Sequence, residues 1–380
     1  MSLNYSDVLN FFKGKSVLVT GNTGFKGAWL TYILLSAGAK VIGYALPPTT
    51  ALNLFGIIGL ENSQSLTQYY SDVRNLDALK KVIDTCKPEI VFHLAAQPLV
   101  RESYRDPVGT YSTNIMGTVN ICECLRLTSS VRSFINITTD KVYKNKEWYW
   151  GYRENDELDG LDPYSNSKSC SELITHSYKD SFFQNRNIGI STSRAGNVIG
   201  GGDFSADRII PDCIKTILGA YKDGRTSAVI DVRNPYSTRP YEHVLEPLFS
   251  YMLIAKKQYE DIKFSGYYNV GPDDCSCVNT GELVSLFCSN WNSKDDRVYA
   301  SWQNKSEKDP PHEADFLKLD CSKIKSVFEW KPRWTIEEAI KQTINWTRIW
   351  LESMDMEEGK RIRSIREEMG RECKIFIENE

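Results

Sequence analysis

The stretch "SVLVTGNTGFKGAWLTYILLSAG", residues 16–38, decides the fold. It opens with a short apolar run, "SVLVT", as a strand covered on both faces requires. Gly21, Gly24 and Gly27 follow at a spacing of three. Glycines there permit positive φ and close backbone approach, and the N-terminus of the next helix offers unpaired N–H groups to a pyrophosphate. The helical "AWLTYILLSAG" ends at Gly38, which suits a C-terminal cap.

Outward from this unit the same alternation repeats. Strands are predicted at 40–46, 68–73, 89–96, 133–137 and 188–194. Helices are predicted behind Asn75, over about 108–126 and from Pro163. Parallel strands need crossovers, and those crossovers are right-handed. The expected fold is therefore α/β: a Rossmann-type doubly wound parallel sheet with a smaller C-terminal substrate-binding lobe. We expect 1–195 to form the dinucleotide-binding part carrying the reactive residues. Residues 196–355 mainly form the smaller lobe, with some chain returning to the sheet. Residues 356–380 form a charged extension, expected as a solvated helix with Ile362, Ile365 and Met369 on one face.

Composition limits the functions available. The chain has 380 residues, is 41% hydrophobic and 25% charged, and carries a formal net charge of −3. Without a basic field, nucleic acid is not an expected partner. No apolar run approaches the ~20 residues of a membrane span, and "MSLNYSDVLNFFKGK" does not read as a signal peptide. The ten cysteines lack paired spacing and are expected as reduced thiols of a cytoplasmic protein. The four histidines, 93, 176, 243 and 312, do not cluster, so no metal site is expected.

Two further patterns carry chemistry. "ITTDKVY", 137–143, ends the fifth strand on a hydroxyl, a carboxylate and an ammonium: Thr139, Asp140 and Lys141. Tyr164 and Lys168 form Y-x-x-x-K on the following helix, where residues four apart share a face. A lysine ammonium close to a phenol lowers its pKa and makes it a base.

Taken together, the G-x-x-G-x-x-G loop and the Tyr/Lys pair resemble the extended short-chain dehydrogenase/reductase superfamily. "TDK" resembles the CDP-glucose 4,6-dehydratases, where most 4,6-dehydratases carry Thr-Asp-Glu. So do "HLAAQPLVRESY", "KEWYWGYRENDELDGLDPYSNSK", "SRAGNVIGGGDF", "RNPYSTRPYEHVLEP" and "PHEADFLKLDCSK". The resemblance runs from about 14 to 350. It implies NAD, held by Gly21, Thr23, Gly24, Phe25, Gly27, Asp72, Val73, Leu94, Ala95, Ala96, Asn114, Tyr164 and Lys168. Strand two ends "GYALPP", with neither an acid nor an arginine, so the physical rule that separates NAD from NADP does not apply.

The resemblance further implies an oxidation–dehydration–reduction of CDP-glucose to its 4-keto-6-deoxy form, a lyase reaction serving deoxysugars of bacterial surface polysaccharide. Tyr164, helped by Thr139, takes the C4 hydroxyl proton. Lys141 takes the C5 proton, and Asp140 protonates the departing C6 hydroxyl. Gln97, Arg101, Asn197, Arg208, Arg239, Asn269 and His312 are the implied substrate contacts. The helices near 108–126 and 164–180 resemble pairing helices of a homodimer or homotetramer. A 4,6-dehydratase of another nucleotide sugar, or a sugar-nucleotide epimerase, shares most of these features.

Overall fold

The computed structural model describes residues 3–294, 297–306 and 316–378. Helix α1 (Tyr5–Phe12) precedes β1 (Ser16–Thr20) and α2 (Phe25–Ser36), and then come β2 (Lys40–Ala45), β3 (Leu66–Tyr70), α3 (Leu76–Cys86) and β4 (Ile90–His93). A helical path over 107–116 runs into α4 (Gly117–Leu127), followed by β5 (Ser133–Ile137), α5 (Pro163–Tyr178) and β6 (Gly189–Ala195). Beyond lie α6 (Ile209–Lys222), α7 (Leu245–Glu260), β7 (Tyr267–Val270), α8 (Thr280–Trp291), α9 (Ile336–Glu352) and α10 (Glu358–Glu378).

The seven strands form one parallel sheet in the order β7-β6-β5-β4-β1-β2-β3. The chain winds one way from β1 to β3 and the other way from β4 to β7. The switch falls between β1 and β4, where ligands enter at the carboxyl ends of the strands of such sheets. Along β1 the side chains alternate: Val17 and Val19 join one core, Leu18 the other. Every residue of β5 and β6 is buried, as central strands with helices on both faces must be.

Two predicted strands are shifted or shortened. The third covers Leu66–Tyr70, not 68–73, because the Asp72 carboxylate accepts the Arg74 N–H at 2.8 Å and turns the chain. The fourth stops at His93, not 96, because the chain bends over the glycine loop and Ala95 N–H donates to Thr20 Oγ1 at 3.2 Å.

Short strand pairs gather beyond the sheet: Asn197–Ile199 with Tyr241–His243, Ser227–Val232 with Tyr299–Asn304, and Thr238–Arg239 with Val278–Asn279. Helix α7 returns to the sheet, where Gln258 Nε2 donates to Phe134 O at 3.0 Å.

The expectation of a solvated tail is corrected. Helix α10 buries Ile365, Met369 and Phe376 completely, and Ile362 is half-buried. Phe376 meets the rings of Tyr5, Phe249 and Trp334. Tyr32 OH donates to Arg366 O at 2.7 Å, and the Arg366 guanidinium reaches Ile58 O and Gly59 O. A charged outer face concealed an apolar inner one. The ten cysteines are free thiols. Among the described residues no helix is long and apolar enough to cross a membrane, and no group of potential ligands is arranged to hold a metal ion.

Candidate functional site

The glycine loop meets three different demands. Gly21 has φ +71°, and a Cβ there would lie 2.7 Å from Ala95 N, so this crossing admits glycine alone. A Cβ on Gly27 would strike Gly21 O at 2.1 Å, which lets α2 pack against the turn. Gly24 is the N-cap of α2; no side chain caps that end and no acid stands in its first turn. Its N–H groups are therefore left for an anion, and the residues present fit a dinucleotide pyrophosphate.

The other expected cofactor residues lie at the carboxyl ends of the neighbouring strands. Thr23 Oγ1 donates to Leu46 O at 2.9 Å. Asp72 follows β3, and the Arg74 guanidinium, 2.5 Å away, holds its carboxylate below the usual range. Val73 is buried, and its carbonyl accepts Asn120 Nδ2 at 3.0 Å. Leu94, Ala95 and Ala96 form the loop after β4. Asn114 ties that loop to α5: its Oδ1 accepts Gln97 N–H at 2.8 Å, and its Nδ2 donates to Ser167 Oγ at 2.8 Å.

A cleft of about 630 Å³ opens beside β5 and β6. It is lined by Thr139, Asp140, Lys141 and Tyr164, and also by Arg101, Asn197, Arg208 and Arg239. These eight expected residues are brought together from six separate parts of the chain.

The turn after β5 is locally encoded. After β5 the chain makes one 3₁₀ turn, Asp140–Val142, with Thr139 at its N-cap. Thr139 Oγ1 accepts Lys141 N–H at 3.4 Å and donates to Asp140 Oδ1 at 2.9 Å. Asp140 is buried and its Oδ2 has no hydrogen-bond partner among the described residues. Burial raises its carboxyl above the ordinary range; Lys141, the Thr139 hydroxyl and Arg239 oppose this. Tyr164 stands at the start of α5, behind the N-cap Asp162 and Pro163 at the first position.

The relation of Tyr164 to Lys168 differs from expectation. Lys168 Nζ is buried and donates to Ile137 O at 2.9 Å, the carbonyl that ends β5. Burial, then the nearby Lys26, lower it to about 7. Burial pushes the Tyr164 phenol up to about 12, and the groups that pull it down are the Thr139 hydroxyl and the Arg208 guanidinium. Thr139 thus bridges the phenol and the Asp140 carboxyl.

Two expected substrate contacts stand away from the cleft. Asn269 is fully buried with its amide spent: Oδ1 accepts Tyr143 OH at 2.6 Å and Nδ2 donates to Tyr152 O and Asp320 O. The Gln97 side chain closes its own loop, donating to Leu99 O and Thr110 Oγ1 and accepting Leu99 N–H. His312 lies outside the described residues.

Sequence reasoning passed over other lining residues, among them Lys26, Asp203 and Arg233. Arg233 pairs with Asp207 at 2.9 Å and with Asp212 at 3.5 Å, and Arg208 pairs with Asp203 at 3.5 Å. The signal for Lys26 was present: a cation inside a phosphate-type loop.

Comparison with known proteins agrees with this geometry. The family model described as GDP-mannose 4,6 dehydratase matches residues 18–343. A CDP-glucose 4,6-dehydratase of Salmonella typhimurium is 45% identical over 91% of this chain and 94% of its own length. A UDP-glucuronate 4-epimerase of Thermodesulfobacterium geofontis is 27% identical over 87% of this chain and 95% of its own. Among solved structures, the dTDP-glucose 4,6-dehydratase of Bacillus anthracis in complex with NAD superposes with a TM-score of 0.69 at 19% identity, covering 88% of this chain and 97% of that one. An epimerase of Methanothermobacter thermautotrophicus reaches 0.76 at 20%, covering 94% and 97%. With the matched model spanning the sheet, the glycine loop and the cleft residues alike, the chain belongs to the GDP-mannose 4,6 dehydratase family.

Proposed function

We propose that the protein converts CDP-glucose to CDP-4-keto-6-deoxyglucose with NAD as a retained cofactor. The observation that carries this reading is the acid/base pair Asp140 and Lys141 in one cleft with Thr139 and Tyr164. An epimerase needs a base at one carbon. Loss of water across C5–C6 needs a proton taken and a proton given. The 45% identical CDP-glucose 4,6-dehydratase supports CDP-glucose over other nucleotide sugars.

When bound at the glycine loop, NAD supplies the reversible two-electron oxidation. The chain's own residues handle the protons. Tyr164 takes the proton of the C4 hydroxyl, and Thr139 aligns that hydroxyl. Lys141 takes the C5 proton, made acidic by the neighbouring keto group. Asp140, whose carboxyl is raised above its ordinary range by burial, gives its proton to the departing C6 hydroxyl. Arg208 and Arg239 receive the diphosphate, for which a guanidinium fork suits phosphate oxygens. Arg101 and Asn197 border the sugar. A volume of about 630 Å³ lies within the range typical of small-ligand sites.

The enzyme acts in this reading as a cytoplasmic homodimer or homotetramer. The 107–127 path and α5 would pair through Val108, Met116 and Leu173, which are apolar and exposed. Sedimentation should give a multiple of 43.4 kDa. The product would feed deoxysugars of a bacterial surface polysaccharide such as a lipopolysaccharide O-antigen.

The test is incubation with NAD and, in parallel, CDP-glucose, dTDP-glucose and GDP-mannose. The expected result is an alkali-developed 4-keto product from CDP-glucose. A product from dTDP-glucose or GDP-mannose alone would move the reading to another nucleotide. A C4 epimer without loss of water would overturn it in favour of an epimerase.

A further inference from the structure

Thr139, Asp140 and Lys141 stand between two buried residues, Thr138 and Tyr143, and each of these is anchored by its hydroxyl. Thr138 Oγ1 donates to Glu172 Oε1, and Thr138 N–H donates to Ser193 O at 2.9 Å. The Tyr143 hydroxyl donates to Asn269 Oδ1 at 2.6 Å and accepts Arg194 Nη1 at 2.7 Å. Arg194 connects the two ends, because its Nε and Nη2 donate to the Glu172 oxygens at 3.0 and 2.9 Å. One buried guanidinium thus holds the residue before the triplet through Glu172 and the residue after it directly. Asn269 carries the second anchor onward, its Nδ2 donating to Tyr152 O at 2.8 Å and to Asp320 O at 3.1 Å. From α5, Ser169 Oγ adds a bond to Val142 O at 2.7 Å.

Stability alone does not call for this arrangement, since a buried ion pair is often no more stabilising than apolar side chains of the same volume. Hydrogen bonds add direction: they fix angle as well as distance, and a fully satisfied network is rigid. The segment they hold needs that rigidity. It is a single 3₁₀ turn, Asp140–Val142, with no ladder of its own to fix it. Placement also matters for proton transfer, because a shift of about 1 Å in a reacting group can cost ~10²-fold in rate.

Resting on the dehydratase reading above, we propose that Thr138, Tyr143, Arg194 and Asn269 are positioning residues that set the two halves of the reaction separately. The Thr138 anchor places Thr139 for oxidation at C4, and the Tyr143 anchor places Lys141 for proton removal at C5. Thr139 follows Thr138 directly in the chain, and its Oγ1 holds Asp140 Oδ1 at 2.9 Å. Lys141 lies two residues before Tyr143, toward the other end of the turn. Arg194 keeps the two anchors in register, since it bonds both Glu172 and Tyr143. Asn269, expected as a substrate contact, acts instead through the Tyr143 hydroxyl.

The test uses the full chain with NAD and CDP-glucose, and two variants that each delete one anchoring hydroxyl: Tyr143→Phe and Thr138→Val. Phenylalanine keeps the ring stacked on Tyr152, whose centroid lies 5.3 Å away. In Tyr143→Phe the single-turnover absorbance rise at ~340 nm that reports C4 oxidation should keep its rate within about threefold. Its kcat should fall about tenfold or more, with reduced cofactor accumulating during turnover. In Thr138→Val the rise itself should slow about tenfold or more, and reduced cofactor should not accumulate. KM should stay within about threefold in both. A merely structural role would instead lower the two steps together. Wild-type kcat in both variants, or an equal loss in both steps in each, overturns the proposal alone. A wild-type protein inactive on CDP-glucose overturns the dehydratase reading and the proposal with it.

Discussion

Glu172 on α5 and Glu246 on α7 are both fully buried carboxyls, and they differ in what faces them. Glu172 is met on every side. Arg194 reaches both of its oxygens at 3.0 and 2.9 Å, Thr138 and Thr192 donate hydroxyls, and His176 stands at 3.2 Å. Glu246 receives the Arg333 and Trp334 N–H groups on one oxygen, while the other has no hydrogen-bond partner among the described residues. Desolvation acts on both. The Arg194 guanidinium outweighs it and holds Glu172 far below the usual range, whereas burial pushes Glu246 up to about 8. Donor count, not depth, decides whether a buried acid is an anion or a proton carrier. The anion braces the ends of β5 and β6 behind the turn Asp140–Val142. Burial raises the carboxyls of Glu246 and of Glu242, the middle residue of the short strand Tyr241–His243 that precedes α7.

The strongest way to break this contrast is Arg194→Met. Removing one partner of a buried pair strands the other, at a typical cost of ~3–5 kcal/mol. Denaturant unfolding should show that loss; a change under ~1 kcal/mol would mean that the hydroxyls alone hold Glu172.

The region of unmet acids should instead depend on apolar packing. Met369 of α10 is fully buried, three residues before the buried Glu372, whose carboxylate oxygens have no hydrogen-bond partner among the described residues. Met369→Ala should cost ~2–5 kcal/mol in the same measurement, the range for emptying a packed methionine site. A loss within ~0.5 kcal/mol would show that the tail does not support the body.

The smallest effect has the clearest sign. For Glu246 the folded state keeps its proton to about pH 8, while the unfolded chain releases it near ~4.3. Between those values the native state binds more protons, so this group lowers stability as pH rises. Glu246→Gln should flatten that slope and change stability by no more than ~1 kcal/mol at pH 5. Glu172 acts oppositely: its contribution is complete above ~4.3 and is lost as pH falls toward its depressed folded value. An identical stability–pH slope in wild type and Glu246→Gln would remove the distinction between the two acids.

What sequence made legible were the features whose causes are local. The apolar run, the glycine spacing and Pro163 each act within one turn of chain, and they located β1, α2 and α5. Thr139, Asp140 and Lys141 were legible because they are consecutive. Asn269 was not: its side chain is bonded to Tyr143, 126 residues away. The buried face of α10 was hidden for the same reason, since Tyr5, Phe249 and Trp334 come from distant parts of the chain. Asp72 ended β3 early through a bond to Arg74 that composition does not reveal. Lys26 was passed over because the loop was read as a backbone device, although its side chain lines the neighbouring cleft.

The most direct test of the dehydration chemistry is nuclear magnetic resonance of the product formed from CDP-glucose in deuterated water, by the wild-type protein and by Lys141→Met. Wild type should give the 4-keto-6-deoxy product with one solvent deuteron at C5, because the proton removed there is replaced from groups in exchange with solvent. Lys141→Met should place no deuterium at C5 while still oxidising C4, since Thr139 and Tyr164 remain. Deuterium entering C5 at the normal rate in that variant would contradict the assignment of Lys141 as the base, and a wild-type product that retains its C6 hydroxyl would contradict the dehydration itself.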